Sequence, residues 1–196
     1  IVAQGCRPIG EPVKISKCDG TLLKEVNGEP PLELLQKVYG GLDENDRSLV
    51  QTSLFLGIEM NPLKDNPKQG DFLIRNIMGV DRESGGIQVG AMLREGQLVQ
   101  FHLRDKMMSA EDLKMVLNKY KTKEHSKKAS GALLFSCLGR GQHLYGEPNH
   151  DSDMFRNQLG DIPLGGFFCN GEIGPVGQTT FLHGYTSSFG IFHPAH

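Results

Sequence analysis

The C-terminal stretch, residues 162–196, is rich in glycine and apolar residues, and Glu172 is its only Asp, Glu, Lys or Arg. Glycine makes up 25 of the 196 residues without a three-residue period, which indicates a backbone with many tight turns rather than a fibre. A lone carboxylate in such a segment is expected to be at least partly buried, where an unpaired charge is costly. Glu172 therefore needs a partner, and the first candidate is Arg140, which lies between two glycines after an apolar run.

The first hundred residues predict strands. Residues 13–18 and 21–26 flank Asp19-Gly20, the two-residue turn chemistry that closes a β-hairpin. In residues 98–104, Val99, Phe101 and Leu103 alternate with polar neighbours, as expected of an antiparallel strand with one face in water.

Helices are predicted at three places. Pro30-Pro31 opens a stretch with apolar residues at helical spacing that ends at Gly40-Gly41. A capping box at residues 109–112 precedes the clearest helical pattern, whose lysine-rich end is expected to face water: Leu113, Val116, Leu117, Tyr120, Lys119, Lys121, Lys123, Lys127, Lys128. A third helix is predicted at residues 151–159.

The remaining apolar runs predict strands at residues 131–137, 166–172 and 179–186, the last two pairing as a hairpin. Strands interrupted by a few amphipathic helices define an α+β fold with a mixed, largely antiparallel β-sheet.

Strand alternation suggests where a site could form. If residues 166–172 stay extended, Asn170 and Glu172 share one face, and Cys169 lies on the other. If Asn170 and Glu172 also meet His183 and Tyr185 across the hairpin, they form a polar cluster on apolar walls, which is typical of a small-molecule pocket. A buried hydrogen-bond network that only fixes the core is the alternative interpretation.

Three motifs resemble the C-terminal domain of the FIST (F-box and intracellular signal transduction) family: LFSCLGRG at residues 134–141, PLGGFFCNGEIG at 163–174 and FLHGYT at 181–186. The resemblance covers residues 30–196, and residues 1–29 look like a leading hairpin or the tail of a preceding FIST N-terminal domain. Gly184 replaces an asparagine that is frequent in the family. The sequence around Cys169-Asn170 looks most like the sequences of cyanobacterial and chloroplast-type members.

This resemblance implies a non-catalytic sensory domain that binds a small ligand, such as an amino acid, in intracellular signal transduction. It also implies a possible alternative, a protein interaction module like the F-box substrate adaptors of ubiquitin ligases. The expected ligand-binding residues are Cys137, Arg140, Asn170, Gly171, Glu172, His183 and Tyr185. Arg140 could receive a carboxylate and Glu172 an ammonium group, unless the two pair with each other.

Two further chemistries compete with this interpretation. A cysteine hydrolase would use Cys169 or Cys137 as nucleophile and His183 as base. A metal site could use His143, Glu147, His150, Asp151 and Asp153. Gly146 and Pro148 interrupt that segment, so a solvated loop without a metal is the favoured interpretation. We expect no cofactor.

The composition limits the partners and the compartment that we expect for this chain. A net charge of −2 gives no electrostatic footprint for nucleic acid or an anionic membrane. No apolar run is long enough to cross a bilayer. The four cysteines are scattered, so we expect free thiols, a reducing compartment and a cytoplasmic location, or the chloroplast stroma if the source is a plant or alga.

Overall fold

The structure is a computed structural model and describes residues 1–123 and 129–195. The chain divides into two compact units. One is Cys6–Arg104, and the other combines Ile1–Gly5 with Asp105–His196. Both contain strands and helices, so the predicted α+β class is confirmed.

The unit Cys6–Arg104 is a closed barrel with two helices. In chain order its elements are β2 (Cys6–Asp19), β3 (Leu22–Val26), α1 (Pro31–Gly40), α2 (Glu44–Thr52), β4 (Leu54–Glu59), β5 (Phe72–Val80), β6 (Ile87–Val89) and β7 (Leu98–Arg104). The strands close in the order β2-β3-β6-β5-β4-β7. The predicted hairpin is confirmed, because Asp19 pairs with Leu22 at the tight turn.

The second unit is built on a mixed sheet with the order β1-β12-β8-β9. These strands are β1 (Val2–Ala3), β8 (Gly131–Cys137), β9 (Leu164–Cys169) and β12 (Ser187–Phe192). Strands β8 and β9 run parallel, whereas β12 is antiparallel to both β1 and β8. The helices are α3 (Lys106–Lys121), α4 (Gln142–Tyr145) and α5 (His150–Leu159), and β10 (Glu172–Val176) pairs with β11 (Thr179–His183) as a separate hairpin.

The two faces of this sheet have different surroundings. Alternation along β8 sends Leu134 and Ser136 to one face and Phe135 and Cys137 to the other. The face with Leu134 packs against the helices, where Phe155 of α5 stacks on Phe189 of β12 with ring centroids 5.3 Å apart. The β10–β11 hairpin is anchored elsewhere on the sheet, since Ser188 Oγ donates a hydrogen bond of 3.1 Å to Ile173 O.

Three predicted boundaries were wrong, one of a helix and two of strands. The helix expected to begin with a capping box at Ser109 begins at Lys106, because Asp105 caps it by accepting a hydrogen bond from Met108 N. Ser109 is instead buried and donates to Gly5 O at 2.9 Å. Lys127 and Lys128, at the lysine-rich end of that pattern, lie outside the described residues.

The strand predicted at residues 166–172 is also wrong, because β9 ends at Cys169 and β10 begins at Glu172. Gly171 has φ +138°, a conformation that favours glycine and breaks the strand. Strand β11 ends at His183, before the predicted end at residue 186. None of the helices in the described part of the chain has the length and apolarity that a bilayer crossing requires.

Candidate ligand cavity and its supporting network

A cavity of about 400 Å³ lies in the second unit, beside the parallel strands β8 and β9 and the first turn of α5. Its apolar walls come from both strands, and its polar groups come from β8, from α4 and from the start of α5. The lining residues that matter here are Leu134, Ser136, Gln142, Asn149, His150, Asp151, Ser152, Leu164, Phe167 and Phe168. Apolar walls with a few polar groups are typical of a small-ligand site.

Asp151 is the centre of the polar network beneath this cavity. Its Oδ2 accepts hydrogen bonds from Arg140 Nε at 2.8 Å and from Ser136 Oγ at 3.3 Å, and Ser187 Oγ also donates to it. Its Oδ1 interacts with Arg140 Nη2 at 3.0 Å and with His150 Nδ1 at 3.2 Å. The carboxylate therefore joins β8, β12, α5 and the turn that carries Arg140.

Arg140 is almost completely buried, with 1% of its surface exposed. Besides Asp151, it donates to the Tyr145 hydroxyl at 2.5 Å and to Tyr185 O at 3.4 Å. Tyr145 also stacks on His150, with ring centroids 3.5 Å apart. Arg140 thus holds the helical side of the cavity in place.

The charges of this pair are stabilised in the folded protein. Burial alone would raise the pKa of Asp151, but hydrogen bonds from His150 and Arg140 and the positive charge of Arg140 hold it well below its usual value. Burial likewise opposes the charged form of Arg140, but the Asp151 carboxylate raises the pKa of Arg140 above its usual value. Both groups stay ionised at neutral pH.

Glu172 is buried as expected, with 1% of its surface exposed, but its partners differ from the predicted one. Its Oε2 accepts hydrogen bonds from Thr186 N at 3.2 Å and Thr186 Oγ1 at 2.9 Å. Its Oε1 accepts from Gly171 N at 3.2 Å and from the Cys169 thiol at 3.5 Å. The expected pairing of Arg140 with Glu172 was therefore wrong, because a different carboxylate, Asp151, reaches the guanidinium.

The contact between Cys169 and Glu172 corrects a second expectation. Unbroken alternation predicted that Cys169 faces away from Glu172, but the break at Gly171 turns Glu172 back towards the thiol. Burial, and then the hydrogen bond to Glu172, raise the pKa of Cys169 to about 11. A thiol nucleophile needs the opposite shift, so this environment does not favour the cysteine hydrolase.

The remaining predicted site residues are spread over the hairpin and its connections. His183 lies opposite Glu172 in the β10–β11 ladder, and its Nε2 lies 2.9 Å from Gly174 O. Asn170 is exposed between β9 and β10, and Tyr185 has φ +64° between β11 and β12. Among the described residues, the predicted set and the cavity lining do not overlap, although Arg140 reaches the lining through Asp151.

The segment considered for a metal site is not a solvated loop. His143 lies in α4, while His150, Asp151 and Asp153 belong to the first turn of α5. Asp151 is committed to Arg140, and within the described ranges no three His, Cys, Asp or Glu side chains are grouped so as to hold a metal.

The sequence interpretation missed three polar residues of the cavity wall as ligand-binding residues. They are Asp151, Ser136 and His150. Pro148 and Gly146 suggested a loop, yet Pro148 lies just before the helix, in a position where proline is tolerated. Asp151 and Asp153 in the first turn of α5 were the available signal, because acidic side chains favour helix N-termini.

Comparison with known proteins now identifies the class of protein that this chain belongs to. The FIST C domain family matches residues 31–175 of the chain. The chain belongs to the FIST C domain family, a family of signal-transduction domains.

Its relatives are bacterial and eukaryotic. Two uncharacterised proteins of Mycobacterium tuberculosis are each 40% identical over 192 residues, which cover 98% of this chain and 50% of each relative. An F-box/LRR-repeat protein of Arabidopsis thaliana is 29% identical over 142 residues, which cover 65% of this chain and 27% of the plant protein. Human F-box only protein 22 is 33% identical over 76 residues, covering 31% of this chain and 19% of the human protein. The chain thus spans about half the length of its mycobacterial relatives.

Proposed function

We propose that this chain is a sensory domain that binds a small ligand in the cavity beside β8, β9 and α5, without chemical turnover, as part of a signal-transduction protein. The observation that carries the proposal is the cavity itself. Its volume of about 400 Å³ falls within the range of roughly 300–1,000 Å³ typical of small-molecule sites. Its polar groups converge at Asp151 between apolar walls.

The buried network favours binding over catalysis. Asp151 and Arg140 neutralise each other, and Ser136 Oγ already donates to Asp151. A carboxylate whose oxygens already accept these hydrogen bonds holds the cavity wall in place, and it is a poor proton-transfer catalyst. The ligand would instead meet His150, Ser152 and the amides of Gln142 and Asn149, which line the same cavity.

An amino acid or another small carboxylate remains our proposed ligand class. Arg140 and Glu172 would act as positioning residues rather than ligand contacts, because each has a full set of protein partners. The amide side chains and His150 could donate to a carboxylate, and the phenylalanine rings could cover an apolar side chain.

Thermal melting against a panel of amino acids and small carboxylates tests this proposal. A ligand that binds only the folded state at a hundredfold excess over its Kd stabilises the protein by about 2.7 kcal/mol. We expect at least one compound to raise Tm, and we expect Phe168→Ala to remove the shift, because Phe168 forms part of the wall.

Phe192→Ala is the matched control. Phe168 and Phe192 have similar exposures, 56% and 54%, and Phe192 lies on β12 outside the cavity lining. A shift that Phe168→Ala leaves intact would place the ligand elsewhere, and no shift with any compound would count against the sensory function.

A protein interaction module is the second candidate. Exposed apolar side chains at Leu138, Phe167, Ile173 and Leu182 favour it, because buried interface centres are enriched in such groups. The F-box names of the plant and human relatives belong to those proteins, and their similarity covers part of this chain. Pull-down of one defined protein that Ile173→Ser abolishes, with no ligand shift, would favour this candidate.

Three finer assignments belong with this proposal. We propose a cytoplasmic or stromal location, and a chain in which residues 1–29 form a leading hairpin or the tail of a preceding FIST N-terminal domain and residues 30–196 form the C-terminal domain. The expected cyanobacterial or chloroplast-type membership stays a prediction, since the relatives given above are mycobacterial, plant and human.

A further inference from the structure

Two free cysteines end neighbouring strands in the second unit. Cys137 is the last residue of β8 and Cys169 is the last residue of β9, and the two are direct partners in the parallel ladder. Neighbouring strands lie about 4.8 Å apart, which falls within the Cα–Cα range of roughly 4.4–6.8 Å found in disulfides. Partners in a ladder send their side chains to the same face, so the two thiols lie side by side on one face of the sheet.

The environments of the two thiols differ, although the thiols influence each other. The neighbouring Cys137 thiol contributes to the raised pKa of Cys169, after burial and Glu172. Cys169 is half-buried while Cys137 is buried, so Cys169 is the more accessible residue of the pair. The chain turns immediately after each residue, because Arg140 N donates to Cys137 O at 2.9 Å and Gly171 breaks the strand after Cys169.

We propose that Cys137 and Cys169 form a reversible disulfide, so that this pair is an oxidation site linking the Arg140 motif to the Glu172 motif. The oxidant is a low-molecular-weight disulfide. The site is separate from the proposed cavity, since Cys137 and Cys169 lie on the opposite face of the sheet from Ser136 and Phe168.

The reaction is two successive thiol–disulfide exchanges. Cys169 Sγ attacks one sulfur of the small disulfide, a mixed disulfide forms, and one small thiolate leaves. Because the pKa of Cys169 is raised, this first exchange is slow at neutral pH and becomes faster as the pH rises. The proton of Cys169 passes along its hydrogen bond to Glu172 and then to the departing thiolate. Cys137 Sγ then attacks Cys169 Sγ, the protein disulfide forms, and the second small thiolate leaves with the proton of Cys137. Two protein thiols and one small disulfide thus give one protein disulfide and two small thiols.

Oxidation would change the contacts of Glu172. The thiol of Cys169 donates to Glu172 Oε1, and a disulfide sulfur has no hydrogen to donate. The carboxylate would keep its hydrogen bonds from Thr186 and Gly171 and lose this one. The disulfide would also fix the ends of β8 and β9 against each other.

Peptide mapping under native conditions tests the proposal. The folded protein is equilibrated with oxidised glutathione, the free thiols are alkylated, and the linked peptides are identified by mass. We expect a Cys137–Cys169 linkage that reducing agent reverses, and its loss in Cys169→Ser. Cys18→Ser is the matched control, because Cys18 is also half-buried but lies on β2 of the barrel, and this variant should keep the linkage.

A second measurement separates native pairing from chance pairing. Oxidation in denaturant should give mixed linkages that include Cys6 and Cys18, whereas the folded protein should give one linkage. If the folded protein, with its cooperative melting intact, shows Cys137 alkylated and Cys169 alkylated or held only as a mixed disulfide, the proposal is overturned.

Discussion

Arg140 and Asp151 form a two-pronged ion pair, with Nε 2.8 Å from Oδ2 and Nη2 3.0 Å from Oδ1. Their side chains are 0% and 7% exposed. Two parallel hydrogen bonds of this kind add geometric specificity to the attraction between the charges. Because Asp151 lies in the first turn of α5 and Arg140 follows β8, the pair fixes how that helix sits on the sheet beside the cavity.

Removing either partner of this pair should destabilise the protein strongly. Arg140→Met leaves the Asp151 charge buried without its counterion, and Asp151→Asn does the same to Arg140. Breaking a buried ion pair in this way costs about 3–5 kcal/mol. Urea unfolding should show that loss, and the double variant should lose less than the sum of the two single variants.

The pair Arg156–Asp153 on the same helix provides the control. Its side chains are 65% and 56% exposed and 3.5 Å apart, so Arg156→Ala should change the free energy of unfolding by less than about 1 kcal/mol. Equal losses for Arg156→Ala and Arg140→Met would contradict the role assigned to burial.

Glu172 should respond even to the change into glutamine. Both of its oxygens accept hydrogen bonds from donors, so the amide of Glu172→Gln would point an N–H group at Thr186 or at Gly171. We expect a loss of about 2–4 kcal/mol, since an unsatisfied buried donor and lost charged hydrogen bonds both contribute.

The partner Thr186 permits a sharper comparison for the same network. Thr186→Ser keeps the hydroxyl that donates to Glu172 Oε2, whereas Thr186→Val removes it at nearly constant shape. Denaturant unfolding should therefore show a larger loss for valine than for serine. The opposite order would mean that packing of the methyl group matters more than the hydrogen bond.

His102 in the barrel should make stability depend on pH. Burial lowers its pKa from 6.5 to about 4, against the opposing hydrogen bond to Gln100 O. Between those values the unfolded chain binds a proton that the folded protein does not, so stability falls as pH falls. Above pH 6.5 His102 does not make the free energy of unfolding depend on pH. Between pH 6.5 and about pH 4 it lowers that free energy by at most about 3 kcal/mol.

Unfolding free energies of the protein and of His102→Gln at several pH values check this. The variant should lose less stability than the wild type between pH 6.5 and 4. His143→Gln, at an exposed histidine of α4, is the control for removing an imidazole. If His102→Gln keeps the same pH dependence of the unfolding free energy, another titrating group causes that dependence.

The sequence predicted the elements that depend on local chemistry. The turn at Asp19-Gly20 and the helix opened by Pro31 are both present. Each of these is decided by neighbours within a few residues, such as a turn dipeptide or a helix-starting proline.

The site could be predicted only in part, because its contacts join distant segments. Burial of Glu172 followed from its position as a lone carboxylate in an apolar segment. The choice of Asp151 over Glu172 as the partner of Arg140 depends on α5 lying on β8, and no residue spacing encodes that placement. The turn at Gly171 moved Glu172 towards Cys169, since a single break in a strand reverses the faces that alternation assigns.

Strand β9 forms one wall of the cavity, and a side chain at Gly166 should disrupt that wall. A Cβ built there would lie 2.0 Å from Leu134 O, and the backbone φ is +156°. Gly166→Ala must therefore shift β9 away from β8, and we expect a loss of more than about 3 kcal/mol in unfolding free energy. Gly165→Ala is the neighbouring control, because its Cβ would lie 3.7 Å from Leu133 Cδ2, an ordinary contact. Similar losses for the two variants would show that β9 moves freely against β8, and the ligand wall would then not be rigid.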